Sequence, residues 1–353
     1  MNYSEKDFPT EEEYVARMYT GALLNPRVDS TFKALFTQPT AESRGALKSF
    51  LEAATERDID SFEFVSNDAP EEFGGQRRVS YDIACVFCDG EAADIEMQAF
   101  NQEYDYGKRA EYQVSRLETT YLKKGDTWEK APKVYQITVL DFIYSKIDEN
   151  NAETKKPVSR YSMRTKDGRE LSNALNVIFI ELPKVQGLEQ SLDTNTRLEN
   201  WALFLKDADN PQKNELIHKL TQKEAGLMQA QQSLSNISEN RDLWIAEYRK
   251  EMYERDRRSS ISAAINKGLK QGLERGLAQG IAQGLERGLA QGLERGLAQG
   301  IEQGIAQGLE QGIAQGRFDE KKDIVKRLYA LGLSPEQVAQ GVGLSVQDIK
   351  QLM

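Results

Sequence analysis

The chain has 353 residues, with 46 Lys and Arg against 56 Asp and Glu, for a formal net charge of −10. Its one histidine, His218, and its two cysteines, Cys85 and Cys88, argue against Ser-His-Asp and Cys-His hydrolases and against a four-ligand zinc site. There is no N-terminal apolar leader and no apolar run of bilayer length, so a cytoplasmic protein that does not enter a membrane is expected.

That length carries a domain with a sizeable core plus appendages. Hydrolytic chemistry in such a chain would rest on carboxylates and a metal. The first element is "NPRVDSTFKALF" (25–36), where Phe32, Leu35 and Phe36 form the apolar stripe of a helix. Asp29 stands at its start, where a carboxylate can accept a backbone N–H as the N-cap.

Next comes "YDIACVFCDGEAADIEMQ" (81–98), two strand-like runs around Asp89-Gly90. A two-residue loop would place Asp82 and Glu96 on opposite faces. A three-residue loop, Cys88-Asp89-Gly90, puts Gly90 where a type I turn with a G1 bulge needs a left-handed residue. It also pairs Asp82 with Glu96 and sorts the faces. Ile83, Cys85, Phe87, Ala93, Ile95 and Met97 share one face. Asp82, Ala84, Val86, Ala92, Asp94, Glu96 and Gln98 share the other. The three-residue loop is therefore expected, with Cys85 buried. Adjacent carboxylates repel unless a cation lies between them. The acidic face thus reads either as a site for a hard cation, Mg²⁺ or Mn²⁺, or as the solvated outside of a hairpin.

"YGKRAEYQVSRLETTYLKKG" (106–125) reads as a helix. Arg109, Tyr112, Arg116 and Lys123 recur on one side, and Val114, Leu117 and Tyr121 point the other way. The cationic side is either a phosphate-binding surface or a solvated face balanced by Glu111 and Glu118. Residues 132–142 and 176–182 read as core strands, with a polar connection and a weak strand between them. Glu181 and Lys184 in "IELPK" suit a structural role.

From about residue 197 the chain turns helical, including a long charged helix from "RDLWIAEYRKEM" onward. Between Gly268 and Gly316 a glycine recurs every four residues, and each before the last is followed by Leu or Ile. A four-residue period drifts by about 40° per unit on a helix, and glycine costs roughly 1 kcal/mol per interior position. Self-association, a variable spacer and a poorly ordered linker all suit such a tail. The C-terminal stretch has a helix ending near Gly332, a Ser334-Pro335 start and a break at Gly343 to Ser345, the pattern of a small helix-turn-helix or helical cap.

The order and spacing of these blocks, with "RLENWALFL" (197–205) closing them, resemble the bacterial recombination-promoting nucleases (Rpn) and the PD-(D/E)XK nuclease family transposases over about residues 20 to 210. The resemblance implies an α/β, restriction-endonuclease-like core with a mixed sheet flanked by helices, followed by a C-terminal helical extension. It implies a metal-dependent DNA endonuclease with Asp82 and Glu96 as catalytic metal ligands and Mg²⁺ or Mn²⁺ as cofactor. Gln98 stands where the broader superfamily has Lys, as it often does in the narrower group. It would orient water or a phosphate oxygen without supplying a charge. Asp94 would lie behind the ligands or be solvated. An acidic residue on the family's first helix approaches the metal, so Asp29 reads as ligand or as cap. Lys33, Arg109, Tyr112 and Arg116 become the expected DNA contacts. The expected organisation is 1–24 leading segment, 25–210 nuclease-like domain, 211–267 helical region, 268–316 repeat tail and 317–353 small helical unit. The alternatives are a catalytically weak DNA- or partner-binding relative, and a self-assembling protein acting through the repeat.

Overall fold

A computed structural model describes residues 9–68, 77–100, 105–122 and 124–352; Lys123 lies outside them. The chain forms two compact units, Met1–Arg258 and Ser259–Met353.

The first unit is built on one mixed six-stranded sheet. Its strands are β1 (Phe62–Phe64), β2 (Ile83–Phe87), β3 (Ala92–Gln98), β4 (Val134–Leu140), β5 (Val158–Ser162) and β6 (Leu175–Glu181), in the order β1-β2-β3-β4-β6-β5. β3, β4 and β6 run parallel, and the other neighbours pair antiparallel. Parallel strands need cover on both faces, which is why β4 is apolar along most of its length and buried throughout.

The larger core lies on the face carrying Ile83, Cys85, Phe87, Ala93, Ile95 and Met97. Helices α2 (Asp29–Thr37), α3 (Ala41–Thr55), α5 (Arg197–Asp207), α6 (Asn214–Lys223) and α7 (Ala225–Ser238) supply its other wall, including Phe36, Phe50 and Trp201. The short α1 (Glu11–Val15) adds Tyr14, and the start of α8 (Arg241–Ala330) adds Trp244, whose indole N–H donates to the Ser238 carbonyl at 2.7 Å. The opposite face is covered by α4 (Tyr106–Tyr121), which packs Ala110, Val114 and Leu117 over Ala84, Ala92 and Phe179. The solvated-face reading of the hairpin is therefore overturned. α4 supplies apolar side chains to that face as well, so its carboxylates are roofed over.

The hairpin has the expected register. Ile83 pairs with Ile95 and Val86 with Ala92, and Phe87 and Glu91 close a three-residue loop. Gly90 has φ +90°, the left-handed region a side chain rarely enters. Glu181 and Lys184 are a buried ion pair at 2.6 Å, with Ser145 Oγ bonded to both. The Tyr144 and Ser145 N–H groups donate to Glu181, so the pair anchors the chain after β4.

The second unit contains the rest of α8, with α9 (Pro335–Val342) and α10 (Val346–Leu352). The repeat is helical throughout; its glycines have open space around them and its Leu and Ile side chains are exposed. Ser334 and Gln337 form a capping box on α9, Gly343 ends it at φ +69°, and Ser345 exchanges hydrogen bonds with Asp348 at the start of α10. Val325, Val338, Ile349 and Leu352 form a small core. Among the described residues no helix is long and apolar enough to cross a membrane.

Candidate active site

The acidic residues of the hairpin meet side chains from α2 and α4. Continuing the register one step beyond Ile83 brings Asp82 beside Glu96. The Met97 N–H donates to Asp82 Oδ2 at 3.3 Å, fixing the carboxylate against β3. Its other oxygen lies 2.9 Å from Lys33 Nζ, which also stands 3.5 Å from Asp29 Oδ1. Asp29 is the first residue of α2, and Val28 occupies the N-cap position without a side-chain cap bond. The capping role expected for Asp29 is thus replaced by an i,i+4 pair with Lys33.

Glu96 is fully buried and held by four donors. Gln98 Nε2 at 3.2 Å, Tyr106 Oη at 3.1 Å and Arg109 Nη2 at 3.1 Å reach Oε2, while Gln113 Nε2 donates to Oε1. Gln113 and Tyr106 escaped the sequence reading. Their signal was spacing: on α4, Tyr106, Arg109 and Gln113 sit three and four residues apart, on one line facing the strand. Arg109 turns inward to Glu96 instead of lying on an outward cationic face. Tyr112 is exposed beside it. Arg116 is partly buried, and its charge acts on Tyr81.

Of the two readings of Asp94, the structure excludes the solvated one. Asp94 is fully buried, and neither carboxylate oxygen has a hydrogen bond of ordinary geometry. Gln136 is its neighbour across β3 and β4.

Electrostatics follow from this crowding. Burial pushes the Glu96 carboxyl up to about 7; the Arg109 cation opposes that, and the Asp82 charge adds to it. Burial, and then the charge of Glu96, hold Asp94 well above the usual carboxylate range. Burial, and then the charge of Asp82, raise Asp29. Burial works to lower the Lys33 ammonium, but its hydrogen bond to Asp82 and the charges of Asp82 and Asp29 outweigh that and raise it.

Among the described residues no group of three or more His, Cys, Asp or Glu is arranged to hold a metal ion unaided. The donors nevertheless fit a hard divalent cation in kind. Mg²⁺ commonly takes one or two carboxylates and completes its shell with water and phosphate oxygens. Asp82 and Glu96 supply such a pair, and Asp94, on the same face of β3, is a buried third acid beside them. Cys85 is buried, with its thiol pushed up to about 12 by burial, and Cys88 is exposed; both are free. Cys85 is a packing residue of the core face.

The sequence model of the family described as PD-(D/E)XK nuclease family transposase matches residues 26–264, which take in the whole sheet, α2 to α7 and the start of α8. That match supports a nuclease-type function with DNA as the substrate class. Among curated proteins and among solved structures nothing matched.

Proposed function

We propose that this chain, which belongs to the PD-(D/E)XK nuclease family transposases, is a metal-dependent DNA endonuclease of the recombination-promoting type, cutting at the Asp82–Glu96 pair. The observation that carries the reading is the cross-strand meeting of these two carboxylates, with Lys33 on one and Gln98 on the other. Asp82 and Glu96 would hold Mg²⁺ or Mn²⁺, with Asp29 behind Lys33 as a further acid. When bound, the metal polarises the phosphate and acidifies a water.

The chain's own residues do the rest. Met97 N–H and the four donors around Glu96 hold the two carboxylates side by side on the strand pair before substrate arrives. Gln98 carries no charge, and the cation nearest Asp82 is Lys33. Lys33 therefore takes the electrostatic part that a lysine plays at the position of Gln98 in the broader superfamily. It would turn from Asp82 to a phosphate oxygen of bound substrate. Gln98 orients the attacking water by hydrogen bonding. A cytoplasmic setting fits the DNA substrate and the two free thiols.

A second reading, a DNA-binding relative with little catalysis, draws on both Glu96 oxygens being already bonded by protein donors. Self-association through the repeat is a separate proposal, supported by the exposed row from Leu269 to Ile313. Nicking of supercoiled DNA by purified protein, with Mg²⁺ or Mn²⁺ and with chelator, decides between cutting and binding. Metal-dependent nicking lost in Asp82→Ala supports the endonuclease. Absence of nicking with either metal turns the assignment to the binding relative. Sedimentation of the full chain against a chain lacking the repeat tests the oligomer.

A further inference from the structure

The residues leading into β2 and the N-terminal half of α4 enclose a cavity of about 760 Å³. Arg77, Arg78 and Ser80 line it from one side, and Lys108, Arg109 and Tyr112 from the other. Four of its described lining residues are cationic and one, Asp105, is acidic, on a chain whose net charge is −10. Arg109 is paired with Glu96, and Arg77, Arg78 and Lys108 add positive charge against the bias of the whole chain. Arg109 and Gln113 both line the cavity and both bond Glu96, so cavity and acidic pair share a wall. The Tyr112 hydroxyl donates to the Arg77 carbonyl at 3.4 Å, tying the two walls together and leaving a partly exposed ring in the lining.

The chemistry of this lining is specific. Arg guanidinium groups suit phosphate oxygens, and an exposed tyrosine ring suits a base. The volume lies within the range of pockets for small ligands, roughly 300–1,000 Å³, and is far too small for a duplex. A base must leave the stack to enter it.

We propose that this cavity holds one unpaired nucleotide of the DNA strand beside the phosphate to be cut, with its base against Tyr112 and its phosphates against Arg77, Arg78 and Lys108. The preferred substrate is then DNA with a locally unpaired strand, such as an overhang, a branch or a loop. This inference rests on the nuclease reading for its substrate, but its test reads binding alone.

The test uses the full chain in chelator, with fluorescence anisotropy on a labelled single-stranded oligonucleotide and on the blunt duplex of the same sequence. The single strand is expected to bind at least tenfold more tightly. Tyr112→Ala should cost about tenfold in affinity for the single strand, and Tyr112→Phe should retain it, because stacking needs the ring and not the hydroxyl. Arg77→Ala, Arg78→Ala and Lys108→Ala should each weaken binding. Each should also lower the slope of log K against log salt by about 0.7, the value for one lost phosphate contact on a single strand. Lys108 is exposed on α4, so its variant and the Tyr112 pair remain informative if an arginine variant fails to fold. Equal affinity for single strand and duplex overturns the inference, as does a Lys108→Ala or Tyr112→Ala protein that binds as wild type does. Single-strand binding that follows these variants, without any nicking under metal, keeps the inference and removes the endonuclease.

Discussion

Lys33 reaches from α2 to within 2.9 Å of Asp82, and that ion pair joins a helix of the large core to the acidic end of the hairpin. Lys33→Ala leaves Asp82 beside Asp29 and Glu96 without its nearest cation. Cleavage is expected to fall by about 10²-fold, the scale on which one preorganised charge-stabilising group acts. Lys33→Arg, which keeps the charge, should recover part of it. Single-turnover nicking rates at saturating metal check this. A Lys33→Ala rate within threefold of wild type would remove Lys33 from the chemistry.

Asp82→Ala and Glu96→Ala should each reduce nicking to background, because each removes a carboxylate from the pair proposed to hold the metal. Gln98→Ala should be milder, since it removes one hydrogen bond to Glu96 Oε2 and no charge. Gln98→Lys should retain measurable nicking. The ordering of the four rates on one supercoiled substrate is the measurement. Equal nicking by wild type and Asp82→Ala would place the activity elsewhere.

Glu247, near the start of α8, predicts a pH dependence of stability. Burial raises its carboxyl to about 7, against the bonds it accepts from the Asn25 N–H, Tyr14 and Thr31. Between its ordinary value of 4.5 and about 7 the folded chain holds a proton that the unfolded chain has released. Unfolding therefore releases a proton in that window, and this group's stabilisation is full below it and lost as pH rises through it. The gap corresponds to about 3 kcal/mol at most. Urea midpoints at pH 5 and pH 8 should differ less for Glu247→Gln than for wild type. An unchanged difference would show that Glu247 does not titrate there.

At Gly226 α7 packs tightly against α3. A Cβ there would lie on top of the Ser49 side chain, within the distance real atoms keep. Gly226→Ala should cost about 1–3 kcal/mol through forced separation of the helices. The repeat glycine Gly288, with open space around it, should tolerate alanine or gain from it. Thermal melts of the two variants make the comparison, and a Gly226→Ala protein as stable as wild type would contradict the packing.

Removal of residues 268–353 should leave the first unit folded, because among the described residues its core takes no side chain from that stretch. Far-UV circular dichroism and the melting temperature of the truncated chain report this. Loss of cooperative unfolding would show that the boundary lies further on.

The sequence by itself determined what local chemistry controls. Gly90 could close only the turn that a left-handed residue allows, and a period of two then sorted Ile83, Cys85 and Ile95 from Asp82, Asp94 and Glu96. Ser334, Pro335 and Gly343 bounded α9 through caps that act within one turn. The inward side of α4 was legible from Val114 and Leu117. Only the tertiary structure decided the surroundings of the acids. Whether their face met water or a roof depended on α4 folding back over β3, which buried Asp94 and aimed Tyr106, Arg109 and Gln113 at Glu96. Lys33 and Asp82 lie 49 positions apart in the chain, and Arg77 and Lys108 lie 31 apart. No pattern within a helix turn or a strand pair links residues at such separations. Their meeting is set by how α2 and α4 pack on the sheet, because long-range contacts are selected by the burial of whole faces and not by the residues that happen to meet there.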